Sequence, residues 1–588
     1  MLAQVRGRSP TRSPARDREG GVDVGADLAM RQRRVAPREG SGPRGALPRS
    51  ALVLLPVAGF LALAVLAARM PVLTPDVWWH LATGRLVADS GIPHTDPFSY
   101  TLAGRTWTAH EWLADVISFG VHATTGLVGL VLLRGLLLAA AFTAAYAVAR
   151  LQAPVLLALA LLVPAAYASQ RNWLDRPQLW SFLLTPLLLW ILERHRLRPD
   201  RLVYALPLLF ALWVNLHGGF MLGLTLLLLW ILCEAMGRWQ ERSSGSMRRL
   251  ALVGLASLLA TLANPNGFAG AVYPLHYVGA GLGATLQEEQ AGRLDSPYAW
   301  VHLGLVLSLW TCFLLRWRRT PPAHIALGVG LGCLSLPRLG TLALPFAAER
   351  HAPLFLLLGT PLLAFQLGAL VGPAARARMA ALQAHGASRW AWSAATAALA
   401  LLAAVLVAAL PRDGSPEARL LPGRYPVAAA RWLEANSLPG NMINPYRWGG
   451  YLAFALAPRY KVWIDSRGDL YGLERLREAE LLQRFPPGSE PAARALLQRY
   501  DANVVVWHLL SLDFGALRVH PFADFLLRSD EWRLVFFDRP EARYPDHPAG
   551  VSAVFLRQHP RNQELLQRYA PVRLPPLPRP AGARTPPR

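Results

Sequence analysis

Lysine is nearly missing from this chain. Lys461 is its one lysine, so arginine supplies almost all of the 60 basic residues, a bias from which no chemistry follows. Cysteine is scarce too. Cys233, Cys312 and Cys333 lie in or beside apolar runs and none falls in the long C-terminal region, which excludes a disulfide framework there. Charged residues make up 16% of the chain, against about 25% in soluble globular proteins. No G-x-G-x-x-G follows a strand-like run and no Walker motif is present, so the common nucleotide signatures are absent. The formal charge of +23 does not point to nucleic acid. The arginines sit in short loops between apolar runs and in the two tails, not on one face of a soluble domain.

Hydrophobic sequence is abundant, and it comes in long blocks. Hydrophobic residues are 53% of the chain and the mean hydropathy is +0.26. LVLLPVAGFLALAVLAA, LVGLVLLRGLLLAAAFTAAYAVA and SAATAALALLAAVLVAAL are each about long enough for a hydrocarbon core of roughly 30 Å. The pattern predicts a mostly α protein, a polytopic transmembrane bundle of about eleven helices. They fall near 51–69, 126–149, 152–169, 178–194, 201–216, 219–236, 249–263, 298–316, 322–337, 351–371 and 390–410.

Residues 1–50 read as a disordered, Arg-rich cytoplasmic tail, because the apolar stretch begins too late for a cleavable signal. Residues 51–410 form the expected transmembrane domain, 411–560 a small extracytoplasmic α/β domain, and 561–588 a Pro-rich tail. With the N-terminus inside, Arg150, ERHRLRPDR, GRWQERSSGSMRR, RWRRTPP and the basic loop at 376–389 all fall on the inner side. An odd number of spans then sends residues 411–588 outside. The expected location is the cytoplasmic (inner) membrane, multi-pass.

The opposite loops differ in kind. They carry PDVWWH, TWTAHEWLAD (106–115), NWLDRPQ (172–178), VNLHGG (214–219), ANPNG (263–267), LQEEQAGRLDSP (286–297) and PRLG (337–340). Ionisable groups at bilayer level are expensive and usually functional. Each motif also has a plain explanation. Tryptophans form interfacial belts, Asn-Pro and Gly-Gly end helices, and Asp76 after Pro75 suits a helix N-cap. The gathering of these groups on one face favours a site. Asp76 and His80 are four apart and would share a face on a helix.

In the C-terminal region, KVWID, NVVVWH, RLVFFD and VSAVFLR have strand length, with helical patterns in VAAARWLEAN and YGLERLREAELLQRF between them. The alternation predicts a small α/β domain with a core of its own. DSRGDLYG (465–472) follows the KVWID run. Such a loop is either a ligand site or an Asp465–Arg467 ion pair that caps the next helix.

The motifs D-x-W-W-H-L-x-x-G (Asp76–Gly84), T-D-P-F-S-Y (Thr95–Tyr100) and H-E-W-L (His110–Leu113) make the chain similar to a set of uncharacterised bacterial polytopic membrane proteins. DRPQ (175–178), NLHGGF (215–220), NPNG (264–267), RHAPLFLLLGTPLLA (350–364) and WGGYLAFAL with KVWIDSRGDLYG (448–472) extend the match from about residue 70 to about residue 560. More distantly, a first span, an acid in the first outer loop and a second acid in a long loop resemble the GT-C class of glycosyltransferases. In the loop after NPNG a Glu-Trp pair is expected and QEEQAGRLDSP stands instead, with Glu288 and Glu289 as the available acids.

The GT-C resemblance implies transfer of a sugar from a polyprenyl-phosphate donor on the extracytoplasmic face. It implies a base or metal ligand at Asp76, with Glu111 and Asp175 as partner acids. His80 and His110 would shuttle a proton or ligate a metal, and a divalent metal is an optional cofactor without assigned ligands. Arg176 would meet the lipid phosphate, with His217 and Arg350 as weaker candidates. Trp78 and Trp79 would stack on sugar or pack on the prenyl chain. Partners are then the bilayer and a lipid-linked sugar, with no nucleic acid and an open oligomeric state. Two other functions compete: a transporter or flippase for a lipid-linked glycan, and a non-catalytic scaffold in envelope polysaccharide assembly. A transporter would show paired repeats and midplane sites, which the sequence lacks.

Overall fold

The computed structural model describes residues 49–72, 74–238, 244–279, 293–337, 348–370, 425–513, 516–538 and 551–569. The expected span at 390–410 and the acids Glu288 and Glu289 lie outside them. The first part is helical: α1 (Arg49–Ala68), α2 (Asp76–Ser90), α3 (Trp112–Arg150), α4 (Val155–Ser169), α5 (Gln178–Leu197), α6 (Leu206–Leu216), α7 (Phe220–Arg238), α8 (Ser244–Ala260), α9 (Gly267–Gly279), α10 (Pro297–Arg316), α11 (Pro322–Ser335) and α12 (Ala352–Leu370).

The expectation of about eleven full spans is corrected. Among the described residues three helices are long and apolar enough to cross a membrane: Trp112–Arg150, Pro297–Arg319 and Glu349–Leu370. Pro56–Ala68, Arg201–Leu216, Phe220–Met236 and Pro322–Ser335 are apolar but shorter. Helix breakers account for the shortfall. A 3-10 turn at Arg201–Ala205 leaves α6 only 11 residues, a rise of about 16 Å. Helix α3 is two helices joined at Gly126, whose φ of 66° and ψ of −155° suit glycine. The apolar span proper begins there, where the hydropathy also begins.

The bundle has two chemically distinct ends. At one, Arg316 donates to Gln366 Oε1 (2.8 Å), Arg196 pairs with Glu193 (2.8 Å), and His324 meets the same Glu193. Arg194, Arg318 and Arg319 belong to this end. At the other end, α2 begins, α5 begins just after Asp175 and Arg176, and α12 begins just after Arg350.

The C-terminal part comprises α13 (Val427–Asn436), β1 (Asn441–Ile443), α14 (Tyr446–Leu456), α15 (Gly468–Arg484), α16 (Glu490–Arg499), β2 (Ala502–His508), β3 (Leu510–Asp513), β4 (Ala516–Val519), α17 (Pro521–Arg528), β5 (Trp532–Phe537), β6 (Ser552–Arg557) and α18 (Gln563–Arg568). The main sheet has the order β1-β2-β6-β5, parallel between β1 and β2 and antiparallel elsewhere. Three of the four strand-like runs are therefore strands. KVWID is not: it is an extended segment that makes one parallel bridge, Val462 to Ser99. Its side chains are buried all the same, which is why its apolar pattern reads as a strand.

This domain does not have a separate core. One hydrophobic cluster joins Trp78 and Leu81 of α2 and Phe98 and Trp107 of the 91–111 loop to Trp448, Val462, Trp463 and the sheet. Two glycines make the approach close. A Cβ on Gly449 would stand 1.9 Å from the Ile464 carbonyl oxygen, and one on Gly450 would stand 3.0 Å from that of Pro75. The W-G-G-Y motif is thus the place where α14 touches both the KVWID segment and the start of α2.

Candidate functional site

Glu111 is the centre of the end where α2, α5 and α12 begin. It precedes α3, at the close of the 91–111 loop. Three histidines from separate segments surround its carboxylate. His110 Nε2 is 3.5 Å from Oε1, His217 Nε2 is 3.6 Å from Oε1, and His80 Nε2 is 3.9 Å from Oε2. His80 comes from α2, and the fold brings it there through Gly84. A Cβ on Gly84 would stand 2.1 Å from the Asp115 carbonyl oxygen, so α2 lies directly on the first turn of α3. One turn back along α2, His80 Nδ1 then reaches Asp115 Oδ1 at 2.7 Å.

The hydrogen bonds fix which imidazole atoms carry protons. The Gly219 amide donates to His217 Nδ1 (2.9 Å), which also lies 2.7 Å from Ser181 Oγ. Nδ1 is therefore an acceptor, and the His217 proton sits on Nε2, facing Glu111. His80 is the reverse: Nδ1–H donates to the Asp115 carboxylate, which leaves a lone pair on Nε2. His110 Nδ1 is 3.4 Å from the Thr108 carbonyl and so also donates.

Electrostatics follow from this arrangement. Burial pushes the Glu111 carboxyl up, but His110, His217 and His80 outweigh it and hold the group at about 2. Burial alone would lower the proton affinity of His110; Glu111 and then Asp469 reverse that and leave it above the ordinary value. Burial brings His217 down to about 4, with Glu111 opposing. The centre is thus an ionised carboxylate beside one imidazole of raised and one of lowered proton affinity.

A resident metal does not fit this cluster. Ligation needs imidazole lone pairs aimed at the ion, and His217 aims an N–H group at Glu111. Among the described residues no three His, Cys, Asp or Glu side chains are set to hold a metal.

Asp76 and His80 share α2 but serve different partners. Asp76 Oδ2 pairs with Arg176 Nε at 2.9 Å, and Arg176 also donates to Thr74 Oγ1 at 2.7 Å. The helix cap is Pro75, without a side-chain cap bond, and Asp76 stands in the first turn. Arg176, expected at a lipid phosphate, is thus held in an ion pair with Asp76. Asp175 is not brought to Glu111 by any contact. Its Oδ2 binds the buried Arg134 at 2.7 Å, and Arg134 donates onward to the Ala67, Met70 and Pro71 carbonyls at the end of α1. Its neighbours give it a packing role. Arg350, in the turn Glu349–His351, is close enough to His217 to lower its proton affinity.

The two tryptophans separate. Trp79 lines the cavity and lies over His80, with ring centroids 3.6 Å apart. Trp78 is buried against Tyr425, Tyr451 and Phe454. An indole enclosed in that way has no face left for a sugar, a lipid or an interfacial belt, so the stacking expected of Trp78 is corrected.

The cavity joins His110 and Glu111 to residues that the sequence reading did not single out, Trp107, Thr108, Asp115 and Tyr273, and to two from DSRGDLYG. Trp107, Thr108, His110, Glu111 and Asp115 form one wall, and Tyr273, Arg467 and Asp469 another. Tyr273, on α9, stacks on His110 at 4.4 Å and donates its phenol to Asp469 Oδ2 at 2.6 Å. Burial pushes that phenol well above its ordinary range, so it stays a donor. Arg467 makes a two-pronged contact with Asp465 (2.9 and 2.6 Å), reaches Asp96 at 2.6 Å, and lies over Trp107 and Phe98. The Asp465–Arg467 pair foreseen within DSRGDLYG is present, with a third member from the loop. Asp115 had a visible signal, four residues after Glu111 in a helical run; Tyr273 had none.

No family model matches the chain, and no curated protein matches it in sequence. Solved structures match in fold. The archaeal oligosaccharyltransferase AglB from Archaeoglobus fulgidus, in complex with an inhibitory peptide and a dolichol-phosphate, aligns with a TM-score of 0.53 at 12% identity over 84% of this chain and 80% of its own. The same oligosaccharyltransferase in complex with Zn and sulfate gives 0.51 at 11% identity, again over 84% and 80%. The arabinofuranosyltransferase AftD from Mycobacteria gives 0.50 at 17% identity over 87% of this chain and 40% of that much longer one. These neighbours are GT-C glycosyltransferases, and the chain has their fold.

Proposed function

We propose that the protein is a membrane glycosyltransferase that moves a sugar from a polyprenyl-phosphate donor to an acceptor hydroxyl at the extracytoplasmic face. The observation that carries this reading is Glu111, an ionised carboxylate held among three histidines at the end of a GT-C fold opposite Arg194, Arg196, Arg318 and Arg319. In the step, the acceptor O–H loses its proton, the new C–O bond forms at the anomeric carbon, and the sugar–phosphate C–O bond breaks. The polyprenyl phosphate departs with the electron pair. Glu111 orients the acceptor hydroxyl. His80 Nε2, whose other nitrogen is fixed by Asp115, takes the proton, as an imidazole paired with a carboxylate does in acid–base catalysis.

Arg176 supports the donor side of the reading. A donor phosphate competes with Asp76 for its guanidinium, which suits bidentate contact with phosphate oxygens. Binding there would release the Asp76 carboxylate as a second proton acceptor. The test is sugar transfer in membranes from a panel of polyprenyl-phosphate-linked sugars, comparing wild type with Glu111→Gln at equal protein level. Loss in the variant supports the reading. Equal transfer removes Glu111 from the chemistry, and no transfer by the wild type leaves the scaffold alternative in its place.

A further inference from the structure

The C-terminal domain reaches the Glu111 centre by two separate contacts. The first runs through the 91–111 loop. The loop folds back on itself through Asp96 N–H to the Arg105 carbonyl and Trp107 N–H to the His94 carbonyl, at 3.0 and 2.9 Å. Local bonds add to these, among them Ser99 N–H to Asp96 Oδ2 at 2.8 Å and Arg105 N–H to the Leu102 carbonyl at 2.9 Å. The domain supplies a further set. Val462 N–H donates to Phe98 and Tyr100 N–H to Val462, at 2.9 and 3.2 Å, and Thr101 Oγ1 donates to the Trp463 carbonyl at 2.7 Å. Arg467 grips Asp96 while its planar face covers Phe98 and Trp107. Its charge is balanced by Asp465 and Asp96 together, so the guanidinium is committed to holding the loop.

The second contact bypasses the loop. Asp469 accepts the Tyr273 phenol, and the Tyr273 ring lies flat against His110. Three chain segments, α15, α9 and the loop, meet in that stack. We propose that Arg467 and Asp469 are positioning residues of the Glu111 centre: Arg467 holds the loop that carries His110 and Glu111, and Asp469 holds the His110 ring through Tyr273. The domain is then a working wall of the membrane site. The proposal takes its functional meaning from the glycosyltransferase reading, but its geometry stands without it.

His110 is faced by Glu111 from its own segment, His80 and Asp115 from α2 and α3, His217 from the turn before α7, Tyr273 from α9, and Asp469 and Arg467 from α15 and the loop before it. Of these, Asp469 and Glu111 favour its charged form. Asp469→Asn keeps an acceptor for the phenol and removes the charge. Tyr273→Phe keeps the stack and removes the link.

Both contacts are tested on the full chain in lipid nanodiscs without any substrate, so their outcome is separate from that of the sugar-transfer assay. The first measurement is acylation of neutral imidazole by diethyl pyrocarbonate, followed at His110 by peptide mass spectrometry from pH 5 to 9. In Asp469→Asn the half-labelling pH of His110 should fall by about half a unit or more, roughly threefold in proton affinity, while that of His559 stays fixed. Tyr273→Phe should raise the extent of His110 labelling, because the ring is no longer tethered. An unchanged profile in both variants overturns the role of Asp469. The second measurement is amide hydrogen exchange in Asp96→Asn, which leaves the Asp465–Arg467 pair intact. Exchange at Ser99, Tyr100 and Trp107 should rise at least tenfold with β2 and β6 unchanged. Unchanged exchange in the loop overturns the role of Arg467.

Discussion

Glu111 and Asp76 are both carboxylates at the same end of the molecule, yet their surroundings divide their roles. Asp76 is matched by one arginine at 2.9 Å. Glu111 meets only imidazoles, of which His217 presents an N–H and His80 a lone pair. Glu111→Gln keeps the size and loses the charge that orders those rings. Transfer should fall about a hundredfold or more, with protein abundance unchanged on immunoblots of membranes. Asp76→Asn should act differently. It frees Arg176 from its carboxylate, so the donor KM should fall or hold while kcat drops. A rise in KM with unchanged kcat would place Asp76 in binding instead. The sequence made these acids visible because charge is rare in this chain and stands out against apolar runs. It hid the partners, because a pairing such as Arg134 with Asp175 depends on how helices 41 residues apart lie together, and no local pattern encodes that.

At the scale of the element, small residues decide where helices touch. Gly84 seats α2 on α3 and Gly449 seats α14 on the KVWID segment, each against backbone that cannot swing aside. Gly449→Ala should lower stability by about 2–3 kcal/mol, and Gly450→Ala, with its nearest atom at 3.0 Å, by less. Thermal melting of the full chain in detergent ranks the two. A second element-level prediction concerns α17. His520 caps it, accepting from Phe522 N–H at Nδ1 while Nε2–H donates to the Gln483 carbonyl (3.1 Å). Burial lowers its proton affinity to about 4. The unfolded chain binds that proton more readily, so the contribution is fully present above the ordinary histidine value and is lost as pH falls toward 4. The loss is roughly 3 kcal/mol at most. His520→Asn keeps the cap and should flatten the pH dependence of melting between pH 7 and 4.5. The helices here were legible from hydropathy, and β2, β5 and β6 from their apolar runs. KVWID misled because full burial mimics a sheet strand, and the packing glycines could be seen only as motifs without partners.

For the whole molecule, arginine distribution and helix direction agree. The arginine-rich ends of α5 and α10 lie opposite the Glu111 site. By the positive-inside tendency the site and the C-terminal domain are expected outside. A reporter active only outside the cytoplasm, fused within 411–424, should be active; activity of a cytoplasmic reporter at that position would reverse the whole arrangement. The change from long apolar runs to alternating strand and helix patterns was legible in the sequence. The core that the two regions share was not, because Trp78 and Trp107 look like interfacial tryptophans until Tyr425, Tyr451 and Arg467 are seen around them.

The buried guanidinium of Arg134 bears on how the protein is made. Arg134 sits inside the apolar part of α3, 1% exposed, and its acid partner lies 41 residues further on. Arg134 therefore reaches the membrane while Asp175 has yet to emerge from the ribosome. An arginine within an inserting helix costs about 2.5–3.5 kcal/mol, enough to hold α3 back if nothing answered it. The carbonyls of Ala67, Met70 and Pro71 do answer it, and they have already been synthesised. Biogenesis is then ordered: α1 receives α3 as a provisional hairpin, and the arrival of α5 with Asp175 makes the insertion permanent. Stalled chains ending near residue 195, in which α3 but not Asp175 has emerged from the ribosome, should hold α3 in the membrane only while α1 is intact. Chains ending past 245, in which α5 has also emerged, should hold it even when the end of α1 is disrupted.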